Sequence, residues 1–316
     1  MKSEAAIKSF QPDAASMGLL LGVGALIALM LPLSKIAMSL GMTPLAYAFW
    51  QAFGGGLILL VFQRQARTIR WRGAIARYFG FSALTAIAVP NVLAFIVVAK
   101  IGSGLTATLY ALPSLATYAI ALTLRMETLS AYRAMGLLMG VAGCVLILSP
   151  SPAGIGEETL SWLMLGLLIP LSLAIGNVYR TTHWPRGATP EQLAPGMLLG
   201  GAIVILVVIV LRGEAATLLV DHPTLWGILI IQSVVTAVGY RGFFQLQKHS
   251  SPTFLSQLGF VITPAGLLFG ILFLKESFGW VVWGGVALLM VGVVLANKPV
   301  RSRAISPCIK GNRMAE

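Results

Sequence analysis

Runs of about twenty residues that carry almost no charge recur ten times along this chain, and no other feature limits its fold so severely. A bilayer hydrocarbon core of about 30 Å is crossed by roughly 20 apolar residues in a helix. Within that core no water satisfies backbone N–H and C=O groups, so each run must satisfy its own, as an α-helix does. Segmentation on this basis predicts spans at 17–40, 44–62, 79–100, 104–124, 130–149, 161–181, 192–211, 225–247, 252–274 and 278–297. Composition agrees: 57% of the 316 residues are hydrophobic and 10% are charged, against about 25% charged in an ordinary soluble domain. The expected fold class is an all-α polytopic membrane protein with ten transmembrane helices. Its first run, Met17 to Leu40, exceeds the ~7–15 residues of a signal-peptide core and is read as a retained helix.

A net charge of +12 would suggest nucleic acid in a soluble chain. Here the basic residues fill the gaps between apolar runs, so they are topology signals and no nucleic-acid partner is expected. With the N-terminus inside, only Lys35, Lys100, Arg212 and Lys275 of the 22 basic residues fall outside. The other eighteen lie inside, among them five arginines at 64–77 and five basic residues in the tail 298–316. Lysine and arginine accumulate on the cytoplasmic side. Both termini are therefore expected in the cytoplasm, with the bacterial inner (plasma) membrane as the location and the lipid bilayer as a partner.

The two cysteines, Cys144 and Cys308, support neither a disulfide framework nor a cysteine-rich metal site. His183, His222 and His249 lie at loops, and the sequence contains no His-Glu-x-x-His zinc motif. No catalytic residue, metal or cofactor is expected, and an enzyme is excluded on that ground.

The chain also repeats itself. METLSAYRAMGLLMGVAGCVLIL (126–148) and KESFGWVVWGGVALLMVGVVLAN (275–297) align at a shift of 149, which pairs Glu127 with Glu276, Gly136 with Gly285 and Gly143 with Gly292. A duplicated unit of five helices accounts for this. Because five is odd, the second copy enters from the opposite side, so the ten helices form two inverted five-helix repeats. The expected division is a cytoplasmic N-terminal segment 1–16, a first repeat 17–149, an outer linker 150–160, a second repeat 161–297 and a basic cytoplasmic tail 298–316. Inverted repeats of this kind are a transporter architecture with substrate near the midplane.

Two elements recur between the halves: a glutamate followed by a small-residue helix (Glu127 with Gly136, Gly140 and Gly143; Glu276 with Gly284, Gly285 and Gly292), and a Thr-Pro pair opening the second helix (Thr43-Pro44; Thr189-Pro190). In these features the chain resembles the EamA-type ten-helix members of the drug/metabolite transporter superfamily, over about residues 17–298. It departs from them in helix 1, which lacks the Trp-Gly pair often found there. The resemblance implies a secondary transporter, with many relatives exporting amino acids, metabolites or toxic compounds. It also implies a central cavity lined chiefly by helices 1, 3, 4, 6, 8 and 9.

Five of those six helices carry a central proline: Pro32, Pro90, Pro113, Pro170 and Pro264 on helices 1, 3, 4, 6 and 9. Each removes a backbone hydrogen bond and crowds the preceding turn, so the set is expected to supply hinges for gating. Polar residues recur at helical spacing among the six helices: Thr106, Tyr110, Pro113 and Thr117 on helix 4, and Gln232, Thr236 and Tyr240 on helix 8. Helix 6 carries Ser172, Gly176, Tyr179 and Arg180 with Asn177 alongside, helix 3 carries Asn91, and helix 9 carries Ser256, Gln257 and Thr263. Asn91, Tyr110, Thr117, Asn177, Gln232, Tyr240, Arg241 and Gln257 are the expected substrate contacts. Arg241, about five residues from the middle of helix 8, is expected to meet a carboxylate or phosphate on the substrate. Lys35 is expected to reach the outer interface or the cavity mouth.

No aspartate or glutamate falls in the centre of a span, and Glu127 and Glu276 are expected to cap or orient the helices that follow them. Intramembrane carboxylates are the usual proton relays and sodium ligands, so facilitated diffusion, exchange or an unusual coupling group is expected. Trp50, Phe95, Tyr110 and Tyr240 suit a partly apolar organic molecule. The helix 5 and helix 10 glycines suggest close packing, with a homodimer as the other reading. The leading function is thus a small-molecule carrier working by alternating access. A membrane channel or a non-transporting membrane subunit is the alternative.

Overall fold

The computed structural model describes residues 13–63, 73–148 and 157–296. The first twelve residues, most of the basic loop at 64–77, most of the linker 150–160 and the tail 298–316 lie outside the described residues, as does Cys308. Among the described residues eight helices are long and apolar enough to cross a membrane: α1 (Ala14–Ser39), α2 (Pro44–Phe62), α3 (Ile75–Ile101), α4 (Ser103–Thr123), α6 (Leu160–Thr182), α7 (Pro190–Leu211), α8 (Pro223–His249) and α9 (Pro252–Leu274). Two shorter apolar helices, α5 (Ala131–Ile147) and α10 (Trp280–Ala296), occupy the remaining expected spans. Each has 17 residues and rises about 26 Å, at the lower limit for a span. The molecule is an all-α polytopic membrane protein, and apolar side chains such as Leu138, Val207, Ile230 and Val294 are exposed on its outside.

The helix starts follow from the sequence. A Ser, Thr or Asp side chain accepts from an N–H of the first turn, and proline fits at the first helical position because its missing N–H would have no partner there. Thr43 Oγ1 accepts from Ala46 N at 3.2 Å ahead of Pro44. Thr189 and Gln192 form a capping box ahead of the rest of α7. Ser251 Oγ accepts from Phe254 N at 3.2 Å ahead of Pro252.

Helices α5 and α10 meet antiparallel through their glycines. A Cβ on Gly136 would stand 2.5 Å from the Gly292 carbonyl oxygen, and one on Gly143 would stand 2.6 Å from that of Gly285. The reciprocal distances are 2.5 Å from Gly292 to the Gly136 oxygen and 2.7 Å from Gly285 to the Gly143 oxygen. These glycines are therefore filled within one chain and offer no groove to a second copy.

Three of the five central prolines sit at helix irregularities. A π-helical turn, Leu84–Ala88, precedes Pro90, and a 3-10 turn, Leu109–Ala111, precedes Pro113. A break at Leu167 precedes Pro170. The carbonyl four residues before each proline, which loses its donor, falls within or beside the irregular segment. Pro32 differs, lying inside the uninterrupted α1. Pro264 also differs, because α9 is interrupted at Gln257, well upstream of it. Near that interruption α9 crosses the 3-10 turn of α4 with Gly259 against the Tyr110 carbonyl. Just beyond, the Thr263 hydroxyl contacts the Ala107 carbonyl at 3.1 Å and its own Gly259 carbonyl at 3.0 Å.

Candidate functional site

A cavity lies beside this crossing. Its walls come from α1, α3, α4, α6, α8 and α9, joined by Gln51 of α2. Ile27, Leu31, Phe95 and Ile262 form apolar wall, and Gln51, Asn91, Tyr110, Asn177, Arg180, Tyr240 and Ser256 supply the polar groups. The centres of water-sized molecules have about 60 Å³ in which to move, several times the ~10–15 Å³ that one water requires. The space suits a few waters or one small polar group.

Arg180 dominates its electrostatics. The side chain is fully buried, and burying a cation costs several kcal/mol unless its donors are met. Nε donates to Gln247 Oε1 at 2.9 Å and Nη2 to Asn177 Oδ1 at 2.6 Å. The guanidinium also lies 5.2 Å from the centroid of the Phe243 ring, a cation–π contact worth up to about 2 kcal/mol when desolvated. Both hydrogen-bonded partners are neutral, and Nη1 has none among the described residues. Gly176 gives it room, since a Cβ there would come within 2.9 Å of Nη1. Asn91 Nδ2 is a second buried donor without a partner, although its side chain lies close to the Tyr240 hydroxyl. Gln51 turns Nε2 to the Met30 sulfur at 3.2 Å and leaves Oε1 unpaired.

Of the residues expected from sequence, the structure brings together Asn91, Tyr110, Asn177, Tyr240 and Pro113 on the cavity wall. Thr117, Gln232 and Gln257 are buried but stand off the wall, and Gln232 Nε2 donates to Thr236 Oγ1 at 3.2 Å. Pro32, Pro90, Pro170 and Pro264 are likewise not on the wall. Arg241 does not line the cavity. It is exposed, and its charge acts on Glu191 at the start of α7. Consecutive helical residues point about 100° apart, so Tyr240 and Arg241 cannot both face the cavity, and Tyr240 does. The buried cation is Arg180, which charge counting had placed among the topology signals. Its spacing from Gly176 and Asn177 on one stripe was the signal available. Trp50 also lies elsewhere, donating Nε1–H to the Leu218 carbonyl at 3.2 Å and packing edge-on against Trp226.

A second constellation sits where α1 ends and α4 begins. Glu276 does not cap the helix that follows it. Its carboxylate accepts from Ser103 N at 3.0 Å, Gly104 N at 3.1 Å and Ser103 Oγ at 3.3 Å, so it caps α4 instead. Lys35 of α1 donates to the same carboxylate at 3.1 Å. Gly102 makes the turn possible: its φ of +91° suits glycine, and a Cβ there would stand 2.9 Å from Glu276 Oε1. The counterpart Glu127 pairs with Arg133 in its own half.

Fold and site together define a polytopic helical membrane protein built around a small cavity with one buried cation. The chain belongs to the EamA-like transporter family, whose model matches residues 15–149 and 160–298. That is a transporter family of the drug/metabolite type rather than an enzyme class. Among the described residues no three His, Cys, Asp or Glu side chains group to hold a metal.

The chain is 30% identical over 183 residues to a WAT1-related chloroplastic protein of Arabidopsis thaliana, covering 55% of this chain and 43% of that protein. It thus spans less than half the length of that relative. Protein PecM of Dickeya dadantii is 26% identical over 256 residues, covering 80% of this chain and 83% of PecM. An uncharacterized transporter of Synechocystis is 26% identical over 217 residues, covering 63% and 64% respectively. One solved crystal structure superposes with a TM-score of 0.66 over 89% of this chain and 96% of that one, at 17% identity, which speaks to fold alone.

Proposed function

We propose that this protein is a secondary transporter of small organic metabolites, an exporter of amino-acid-like or drug-like compounds, that works by alternating access around the central cavity. In this reading α5 and α10 also cross the bilayer. The ten helices then form two inverted repeats, 17–149 and 161–297, with both termini in the cytoplasm of a bacterial inner membrane. Supporting the inversion, the contact between Gly136 and Gly292 maps under the 149-residue shift onto that between Gly285 and Gly143, which is also made. The observation that carries the function is the cavity itself, whose walls come from both halves at the crossing of two interrupted helices. Irregular backbone at membrane depth is tolerated where it lines a cavity, and carriers use it there.

Counterflow in proteoliposomes, run with a panel of labelled amino acids and small organic acids, tests the reading. A carrier gives saturable uptake driven by unlabelled internal substrate. Flux that rises linearly with concentration would instead indicate a channel, and absence of flux across the panel would favour a non-transporting subunit. Arg241→Ala, at an exposed site, is expected to change counterflow by no more than about twofold, as surface substitutions usually change energies by under ~0.5 kcal/mol. A tenfold loss would restore Arg241 as a substrate contact.

A further inference from the structure

We propose that the ligand of this cavity is a small monocarboxylate and that the Arg180 guanidinium is its anchor. The inference deepens the carrier reading and rests on it. A buried arginine is normally met by a carboxylate or held entirely by hydrogen bonds. Arg180 has neither arrangement, because its partners Gln247 and Asn177 are neutral and Nη1 is unpaired. Among the described residues the cavity wall contains no aspartate or glutamate that could neutralise it. The site therefore carries one uncompensated positive charge and is one anion short of balance.

The guanidinium is also held in position from behind. Gln247, which takes the Nε hydrogen bond, has its own amide 3.4 Å from the Asn177 carbonyl oxygen and 3.4 Å from Thr181 Oγ1. A fixed planar fork with a spare N–H matches a carboxylate oxygen. On the same wall the Asn91 amide lies beside the Tyr240 hydroxyl, and Gln51 Oε1 is a buried acceptor without a partner among the described residues. The spare Arg180 N–H and the Gln51 acceptor together complement a carboxylate that carries a hydroxyl or amino group nearby. Among the described residues Arg180 is the one basic residue on the wall, so charge balance favours a monoanion over a phosphate dianion. The space of about 60 Å³ suits a compact acid.

Binding to the purified full-length chain in lipid nanodiscs tests this, with thermal stabilisation read for alanine, lactate and pyruvate, each against its methyl ester, and for inorganic phosphate. At least one acid is expected to stabilise the protein while its ester does not, with phosphate weaker. Arg180→Gln is expected to weaken that acid about 100-fold, the scale for removing one partner of a buried charged contact, and Arg180→Lys less. Equal binding of acid and ester by the unmodified protein, no binding of any acid at millimolar concentration, or tighter binding of phosphate would each overturn the proposal without relying on a variant that folds. So would undiminished acid binding by folded Arg180→Gln. Acid binding without counterflow would leave the anion site standing and remove the carrier. Counterflow of a neutral compound that is indifferent to Arg180 would do the reverse.

Discussion

Gly259→Ala is expected to destroy the folded protein, the largest effect of any single methyl group considered. Gly259 packs against the Tyr110 carbonyl where α9 crosses the 3-10 turn of α4, and a Cβ there would overlap that oxygen and crowd the Tyr110 carbonyl carbon and Ala111 Cα as well. All three atoms belong to backbone, so no side-chain rotation relieves the clash. The helices would have to separate, exposing Thr263 and the Ala107 carbonyl that its hydroxyl contacts. Overpacking a core costs ~1–3 kcal/mol when side chains can adjust and occasionally more, and this site falls at or beyond the upper end. Size-exclusion profile and unfolding temperature in detergent provide the measurement, with Gly227→Ala as the control. Gly227 lies in α8 with nothing within 4 Å of a Cβ, so alanine there is expected to be neutral or slightly stabilising. A Gly259→Ala protein that is monodisperse and melts with the unmodified chain would contradict the packing described here.

Glu276→Ala is expected to open the cavity toward the Lys35 end of the molecule. Glu276 belongs to the second half of the chain, and its four hydrogen-bond donors all belong to the first. Lys35 is about one-third exposed, so solvent screens that ion pair and its contribution is small. The backbone donors Ser103 N and Gly104 N matter more, because they begin α4 and lose their acceptor together. If the two halves rock against each other, a contact made only in the closed state biases the equilibrium by about 1–3 kcal/mol, or about 5–150-fold in population. The check is the labelling rate of Leu31→Cys on the cavity wall, using a membrane-impermeant maleimide in a background lacking both native cysteines. Glu276→Ala is expected to raise that rate about tenfold or more from the Lys35 side, and Lys35→Met by a smaller factor. A rate insensitive to Glu276 would show that this carboxylate braces α4 without gating the cavity.

Both results turn on contacts that no local pattern in the sequence specifies. The apolar runs, the Thr-Pro helix starts and the glycine stripes could be read directly, because each depends on properties of residues close together in the chain. Transfer of twenty apolar side chains into lipid is a sum over neighbours. A cap at Thr43 needs only Pro44 and Ala46. Prolines located three of the irregular turns for the same reason, since the lost hydrogen bond is local.

Which polar group faces the cavity was a different matter. Tyr240 and Arg241 are adjacent, and only packing of α8 decided that the tyrosine turns inward and the arginine outward. Arg180 read as a topology charge because hydropathy counts a basic residue near a helix end the same way whether it meets headgroups or is enclosed by Asn177, Gln247 and Phe243. The break in α9 fell at Gln257 instead of Pro264, where α9 crosses α4.

The sequence alone thus determined that the chain is helical and membrane-embedded and where its helices start. The tertiary structure decided which cation is buried and that Glu276 caps α4 at Ser103, 173 positions away in the chain. The physical reason is range. Helix formation and lipid transfer are settled within a few turns of chain, whereas the environment of a charge depends on every helix packed around it, and those neighbours are fixed only once the whole bundle has assembled.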